Sequence, residues 1–443
     1  MRPGTMSERQ CTSAPYGHIL TNAGVWTHDG RSIVYDVRSD AAGGMFDGTR
    51  IERVDLATGR VEILHESADG ACCGVVTASP VDDRVVFILG PDHPTPDWRY
   101  GPARRRGVIV RPGAPGCVEA LDARDLVPPF TPGALRGGTH VHQFSPDGRL
   151  VSFTYEDALL DAAADDAPRE RNLRAVGMSV CGHPVTVPRS HPRNHDGGAW
   201  SVLVSELSDH PQEGSDAIIR ACEEAWIGTA GYRRADGSRQ RRALAFQGTV
   251  VVRGGGTIAE VFVVDLPDDD VSGTGHAREG SGPLAGTATT RPRPPAGVVQ
   301  RRLTFTADRL HPGLQGPRHW LRSSPDGDRI AFLARDDIGV VQLFTVSPLG
   351  GQPRPVTHGA SGVESAFTWH PAGDRLACVV DGSVCVIDAR DGQVDRLTPR
   401  RDGSPPRPEA CVFSPDGKRI AYVRRVDGGE GAFNQVFTVD VPD

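Results

Sequence analysis

The sequence predicts an all-β fold, a seven-bladed β-propeller of four-stranded blades, on three observations. The first is a recurring turn. Ser145-Pro146-Asp147-Gly148 precedes RLVSF, Ser324-Pro325-Asp326-Gly327 precedes DRIAF, and Ser414-Pro415-Asp416-Gly417 precedes KRIAY. Weaker copies are Thr27-His28-Asp29-Gly30 before RSIVY, Ser79-Pro80 before DDRVVF, and His370-Pro371-Ala372-Gly373 before DRLAC; a degenerate seventh ends in RALAF at 242–246. Proline pre-sets φ and Asp-Gly suits a tight reversal, while the runs that follow alternate or are apolar and β-branched, as strands are. The second observation is that each copy carries further strand-like runs, such as VVQLFTVSP and RPVTH after RIAFLAR. With the run before the turn, each unit has four strands, and such units repeated radially are propeller blades. The third is composition: 53 glycines and 36 prolines in 443 residues do not support long helices.

In chain order, residues 1–17 read as an N-terminal tail and 18–443 as one propeller. The blades fall at about 22–67, 68–126, 127–215, 216–305, 306–358, 359–400 and 401–443. Segment 268–296 is rich in Asp, Gly, Thr and Pro, and reads as a disordered insertion in blade four. The seventh unit stops one strand short. His18-Ile19-Leu20-Thr21 resembles the fourth strands at Arg302-Leu303-Thr304 and Arg396-Leu397-Thr398, so 18–21 is expected to complete blade seven and close the ring.

Acidic residues outnumber basic ones 56 to 49, for a net charge of −7. A general nucleic-acid binder needs the opposite balance. The N-terminus lacks the apolar stretch of a secretory signal, and no run approaches the roughly 20 apolar residues of a membrane span. The expectation is a cytoplasmic monomer with neither nucleic acid nor membrane as partner. Nine scattered cysteines without a C-x-x-C read as free thiols.

The approach to each first strand and the loop between second and third strands share one face of a propeller, and long loops gather there: 38–48, 91–106 and 156–199. Counting back from the turns, His140 stands five residues before Ser145 and His319 five before Ser324; Glu409 holds that place before Ser414. His142 follows His140 by two, which on a regular strand puts both on one face about 6.5 Å apart. Imidazoles converging on an axis, with Glu223 from the blade between, suit a divalent metal. The same positions also suit the polar lining of a wet channel. Arg136 and Arg318 beside the histidines are candidates to hold a carboxylate, with His195 as a catalytic candidate. Trp98, Arg99, Tyr100 and His191 are candidates for substrate binding.

The SPDG-plus-RIAF repeat, with its L-T ending, resembles the PD40 repeats of TolB-like propellers and the propeller of prolyl-oligopeptidase-type peptidases. IERVDLATGRVE, TPGALRGGTHVHQFSPDG, QRRLTFT and PRHWLR resemble an uncharacterised bacterial propeller family. A more distant similarity is to oligogalacturonate lyase, which holds a divalent manganese at its channel mouth. That similarity implies a metal-dependent enzyme, a lyase on a small anionic carbohydrate, with manganese or a similar ion as cofactor; the positions before the turns offer His140, His142 and His319 as its ligands. The TolB-like resemblance implies instead a non-catalytic module that binds a protein or peptide. No G-x-S-x-G occurs, which sets aside the peptidase activity.

Overall fold

The computed structural model describes every residue except 1–6, 40–43, 114–116, 163–168, 269–281, 319, 430 and 443. Seven four-stranded antiparallel sheets are arranged as blades around an axis. Their innermost strands are 17–19, 73–78, 137–144, 218–226, 322–323, 368–369 and 406–413, in blades one to seven. In six blades the S-P-D-G position or its variant turns this strand into the second. The turn's own side chains explain the motif. Ser145 Oγ donates to Asp147 Oδ1 at 2.6 Å and accepts from the Leu150 amide at 3.0 Å, while Asp147 accepts from the Arg149 amide at 3.1 Å. Ser414 and Asp416 repeat the arrangement. Blade four replaces the turn with a small hairpin, 232–233 paired with 239–240, before RALAF. The single described helix is one turn, Ala158–Asp161.

Most of the core lies between blades; a smaller cluster of Leu135, Phe153, Tyr155, Ala175 and Leu203 lies within blade three. The larger buried apolar clusters each join two neighbours: Val34, Ile51 and Leu64 of blade one meet Val76 and Phe87 of blade two, for example. Equivalent clusters fill the other six seams, including the one between blades seven and one, where Ala410, Val412 and Val436 meet Leu20 and Tyr35. A polar clamp sits on three of these seams. The arginine two residues after the turn glycine donates to the carbonyl of the next blade's turn glycine. Arg329 reaches Gly373 at 2.6 Å, and Arg419 reaches Gly30 at 3.0 Å. Arg84, at the matching place in blade two, reaches Gly148 at 2.6 Å. Each guanidinium also lies over an aromatic ring of that next blade: Phe144 for Arg84, Trp369 for Arg329, Trp26 for Arg419. The Trp369 and Trp26 indoles donate back to Arg322 O and Val412 O, both at 3.0 Å.

The strand that closes the ring is Glu8–Gln10, not 18–21. It pairs antiparallel with the third strand of blade seven, Glu8 opposite Val439 and Gln10 opposite Phe437. Glu8 also accepts from Arg401 at 2.6 Å and from the Tyr422 hydroxyl. Gly17–Ile19 is instead the innermost strand of blade one, paired with the strand 32–38. The reason for the misreading is physical. An outermost strand is exposed on its outer side, so E-R-Q carries no apolar alternation, while the L-T after Ile19 imitates an outer-strand ending.

The supposed disordered insertion is also corrected. Residues 269–281 lie outside the described residues, but 282–296 packs onto blade three. Arg291 ties it to Asp209 at 2.6 Å and to the Arg171 carbonyl at 2.8 Å, and Leu284 joins the seam between blades three and four. Polar anchoring replaces the missing apolar residues, which composition does not reveal.

Deleting residues 1–12 should therefore lower stability by about 2–4 kcal/mol, through loss of a paired strand and exposure of an open edge. Urea unfolding of the truncated chain checks this; an unchanged midpoint would refute the closure.

Candidate functional site at the mouth of the channel

Three inner strands carry the same irregularity. The pairing register shifts at Gly74/Thr77, His140/Gln143 and Cys222/Ala225. Within each shift one non-glycine residue takes positive φ: Val75 at 58°, Val141 at 53° and Glu223 at 60°. Such bulges re-aim side chains and are held in place only by their surroundings.

The bulge at Val141 separates the two histidines that a regular strand would align. His140, half-buried, lines the channel mouth. His142 is fully buried beneath it. Its Nε2 is 2.9 Å from Thr139 Oγ1, and its ring fills the space a side chain at Gly107 would need. Burial, then the nearby Arg105 charge, push the His142 imidazole down to about 3. Burial and the same arginine hold His140 well below its usual range, so both are neutral at pH 7. His319 lies outside the described residues. Glu223 sits at its bulge in blade four, partly buried, and is not among the residues lining the mouth. Among the described residues, no three His, Cys, Asp or Glu side chains converge to hold a metal. His140, His142 and Glu223, the described members of the donor set expected for manganese, thus do not converge, and no step is routed through a metal below.

Arg136 is not a catalytic group. It is 2% exposed, donates through Nε to Asp157 at 2.6 Å, and through its terminal nitrogens to the carbonyls of Thr287 and Thr290. Its ring-like plane lies over Phe130. Its two terminal nitrogens anchor 282–296, and Nε holds Asp157 of its own blade. His191 and His195 stand in the connection between the third and fourth strands of blade three, away from the axial pocket. His195 pairs through its backbone with Arg124, and burial drives its imidazole down to about 3. His191 lies 6.3 Å from Trp98, whose ring is surrounded by the guanidiniums of Arg104, Arg124 and Arg193. Tyr100 points elsewhere and stacks on Phe46 at 4.7 Å; Arg99 is exposed. The expected substrate cluster is thus brought together only for Trp98 and His191.

What the fold does assemble is a pocket of about 310 Å³ on the axis at the loop face. Blade one supplies Asn22, Asp36 and Arg38, blade three His140, blade five Arg318 and Trp320, and blade seven Arg407 and Glu409. Arg38 and Asp36 form a buried pair at 2.6 Å, and Asp36 also accepts from the Val75 amide at 3.1 Å. Arg407 donates to Glu409 at 2.8 Å, and Arg318, nearly half exposed, approaches the same carboxylate at 3.8 Å. Trp320 Nε1 is buried on this wall with no acceptor. Asn22 and Trp320 had a signal in the sequence: Asn22 stands five residues before Thr27, and Trp320 four before Ser324. Arg38 had none, because it ends a second strand rather than a first.

Comparison with known proteins fits this picture. A family model described as "Protein of unknown function (DUF3748)" matches residues 72–195. The uncharacterized protein YidR of Escherichia coli (strain K12) is 46% identical over 426 residues, covering 95% of both chains. The chain belongs to the family of YidR. Among solved structures, oligogalacturonate lyase in complex with manganese is similar with a TM-score of 0.54 at 13% identity, covering 100% of this chain and 95% of the lyase. A puromycin hydrolase mutant is similar with a TM-score of 0.52 at 13% identity, covering 93% of this chain and 50% of the hydrolase. The resemblance to an uncharacterised propeller family, and more distantly to the lyase, is borne out at the level of family and fold. No helix of the described residues is long and apolar enough to cross a membrane, and all nine cysteines are free.

One buried acid makes the stability of the fold sensitive to pH. Glu224 accepts from Thr154 Oγ1 at 3.0 Å, and burial, reinforced by Glu223, raises it from 4.5 to about 7. The folded protein then keeps a proton that the unfolded chain has lost, so stability falls as pH rises from 4.5 to about 7. Glu224→Gln should flatten that decline and gain on the order of 3 kcal/mol above the window. Urea midpoints across pH check it; parallel profiles for the two proteins would refute the assignment.

Proposed function

We propose that the mouth pocket binds a small carboxylate-bearing, sugar-like molecule and that the protein acts on it by β-elimination. The observation that carries the reading is the meeting of Arg318 and Arg407 with the neutral His140 and the ring of Trp320 on one axial pocket. Guanidiniums match carboxylates in geometry and charge. An aromatic wall suits the flat face of a sugar ring. The fold likeness to oligogalacturonate lyase supports the choice of substrate class.

In this reading Arg318 and Arg407 neutralise the substrate carboxylate, which acidifies the adjacent C–H bond. A nitrogen of His140 takes that proton as the carbon–carbon double bond forms and the C–O bond to the leaving group breaks. Protonated His140 is a stronger acid than usual in this setting. It returns the proton to the departing oxygen, so the histidine ends neutral.

Calorimetric titration with digalacturonate, with the neutral disaccharide digalactose as control, tests binding. Ultraviolet absorbance of the unsaturated product tests turnover. Saturable binding of the uronate alone is expected, weakened about tenfold or more in Arg318→Ala, a loss of about 1.4 kcal/mol. His140→Ala should bind the uronate and form no product. Binding without product in the unaltered protein would leave a binding module, and no uronate binding would overturn the reading.

A further inference from the structure

The axial channel has a second chamber at its other end. The Arg322 guanidinium of blade five reaches across to Asn22 of blade one and donates to its Oδ1. Asn22 lines the mouth pocket and Arg322 lines a separate cavity of about 300 Å³ on the face of the turns. Most of that cavity's wall is apolar, with Ala78, Phe144, Ala225 and Trp226 among its residues.

Arg322 and Gln143 on this wall each carry a donor, enclosed by protein, that lacks an acceptor. Arg322 is 7% exposed. One terminal nitrogen donates to the Leu321 carbonyl at 2.8 Å and the other to Asn22, leaving Nε buried with no acceptor. The carboxylate that acts on its charge, Glu224, does so through space, while burial lowers the guanidinium to about 10. Gln143 Nε2 is likewise buried without an acceptor. Gln143 follows the bulge at Val141, which sends His140 to the mouth and Gln143 to this lower chamber, and its backbone carbonyl accepts from Trp226 Nε1 at 3.0 Å. A buried, unsatisfied donor costs stability, and an uncompensated buried cation costs more.

We propose that this chamber binds a small carboxylate with an apolar body. The carboxylate pairs with the Arg322 guanidinium and the Gln143 amide, both on the cavity's wall, and the apolar body lies against Ala78, Phe144, Ala225 and Trp226. Two donors and an apolar wall suit a monoanion; a phosphate dianion would leave oxygens without donors. The site is independent of the mouth pocket, because the Asn22–Arg322 contact stands between them.

Titration of the full-length protein with benzoate, followed by calorimetry, tests the site. One saturable site is expected, with benzyl alcohol at least tenfold weaker. Gln143→Leu removes one donor and Ala225→Leu fills the apolar half. Each should weaken benzoate at least tenfold while keeping the unfolding midpoint close to that of the parent. Arg318→Ala, at the mouth, should leave benzoate binding unchanged. Absence of saturable binding, survival of binding in both Gln143→Leu and Ala225→Leu, or its loss in Arg318→Ala would each overturn the proposal.

Discussion

Apolar packing across the seams between neighbouring blades holds this ring together. A single four-stranded blade cannot bury both its faces, and its apolar residues find partners only in the next blade. The repeated arginine states this dependence in polar terms. Arg419 stacks on Trp26 and holds Gly30, although the two segments lie at opposite ends of the sequence. The turn glycine is needed there for its positive φ, 66° at Gly30, and its carbonyl is aimed at the arriving guanidinium. Turn, clamp and ring closure are thus one device used repeatedly. The ring then needs only Glu8–Gln10 to cover the last edge.

On that rigid ring, the bulged inner strands do the work of placing function. A regular strand would give the channel one register of side chains. The shifts in blades two, three and four break it, so His140 faces the mouth, His142 is withdrawn, and Gln143 faces the opposite chamber. Strain at Val75 is held by the neighbouring blade, since its amide donates to Asp36 of blade one at 3.1 Å. The Arg322–Asn22 contact divides the channel into two compartments of different chemistry: charged and aromatic at the loop face, mostly apolar with two donors at the turn face. A chain with a net charge of −7 thereby concentrates arginines where an anion would enter.

The number of blades, the four-strand unit and closure by an N-terminal strand were legible in the amino-acid order. Those follow from local chemistry: S-P-D-G satisfies its own backbone, and RIAF-type runs have one stable way to be buried. The same order also placed His140, Arg318 and Glu409 at the mouth, because a fixed count back from a turn fixes height in a channel. The remaining features arise from contacts between distant segments. Which segment closes the ring was not legible, since an exposed edge strand needs no pattern. The parting of His140 from His142 was not legible, since a bulge is imposed by neighbouring blades rather than by the strand's own residues. Arg136 looked like a free cation beside a histidine, yet its partners Thr287 and Thr290 lie some 150 positions away in a segment whose composition suggested no structure. Long-range polar anchors leave no local signature, because each end is an ordinary surface residue until the fold brings the other to it.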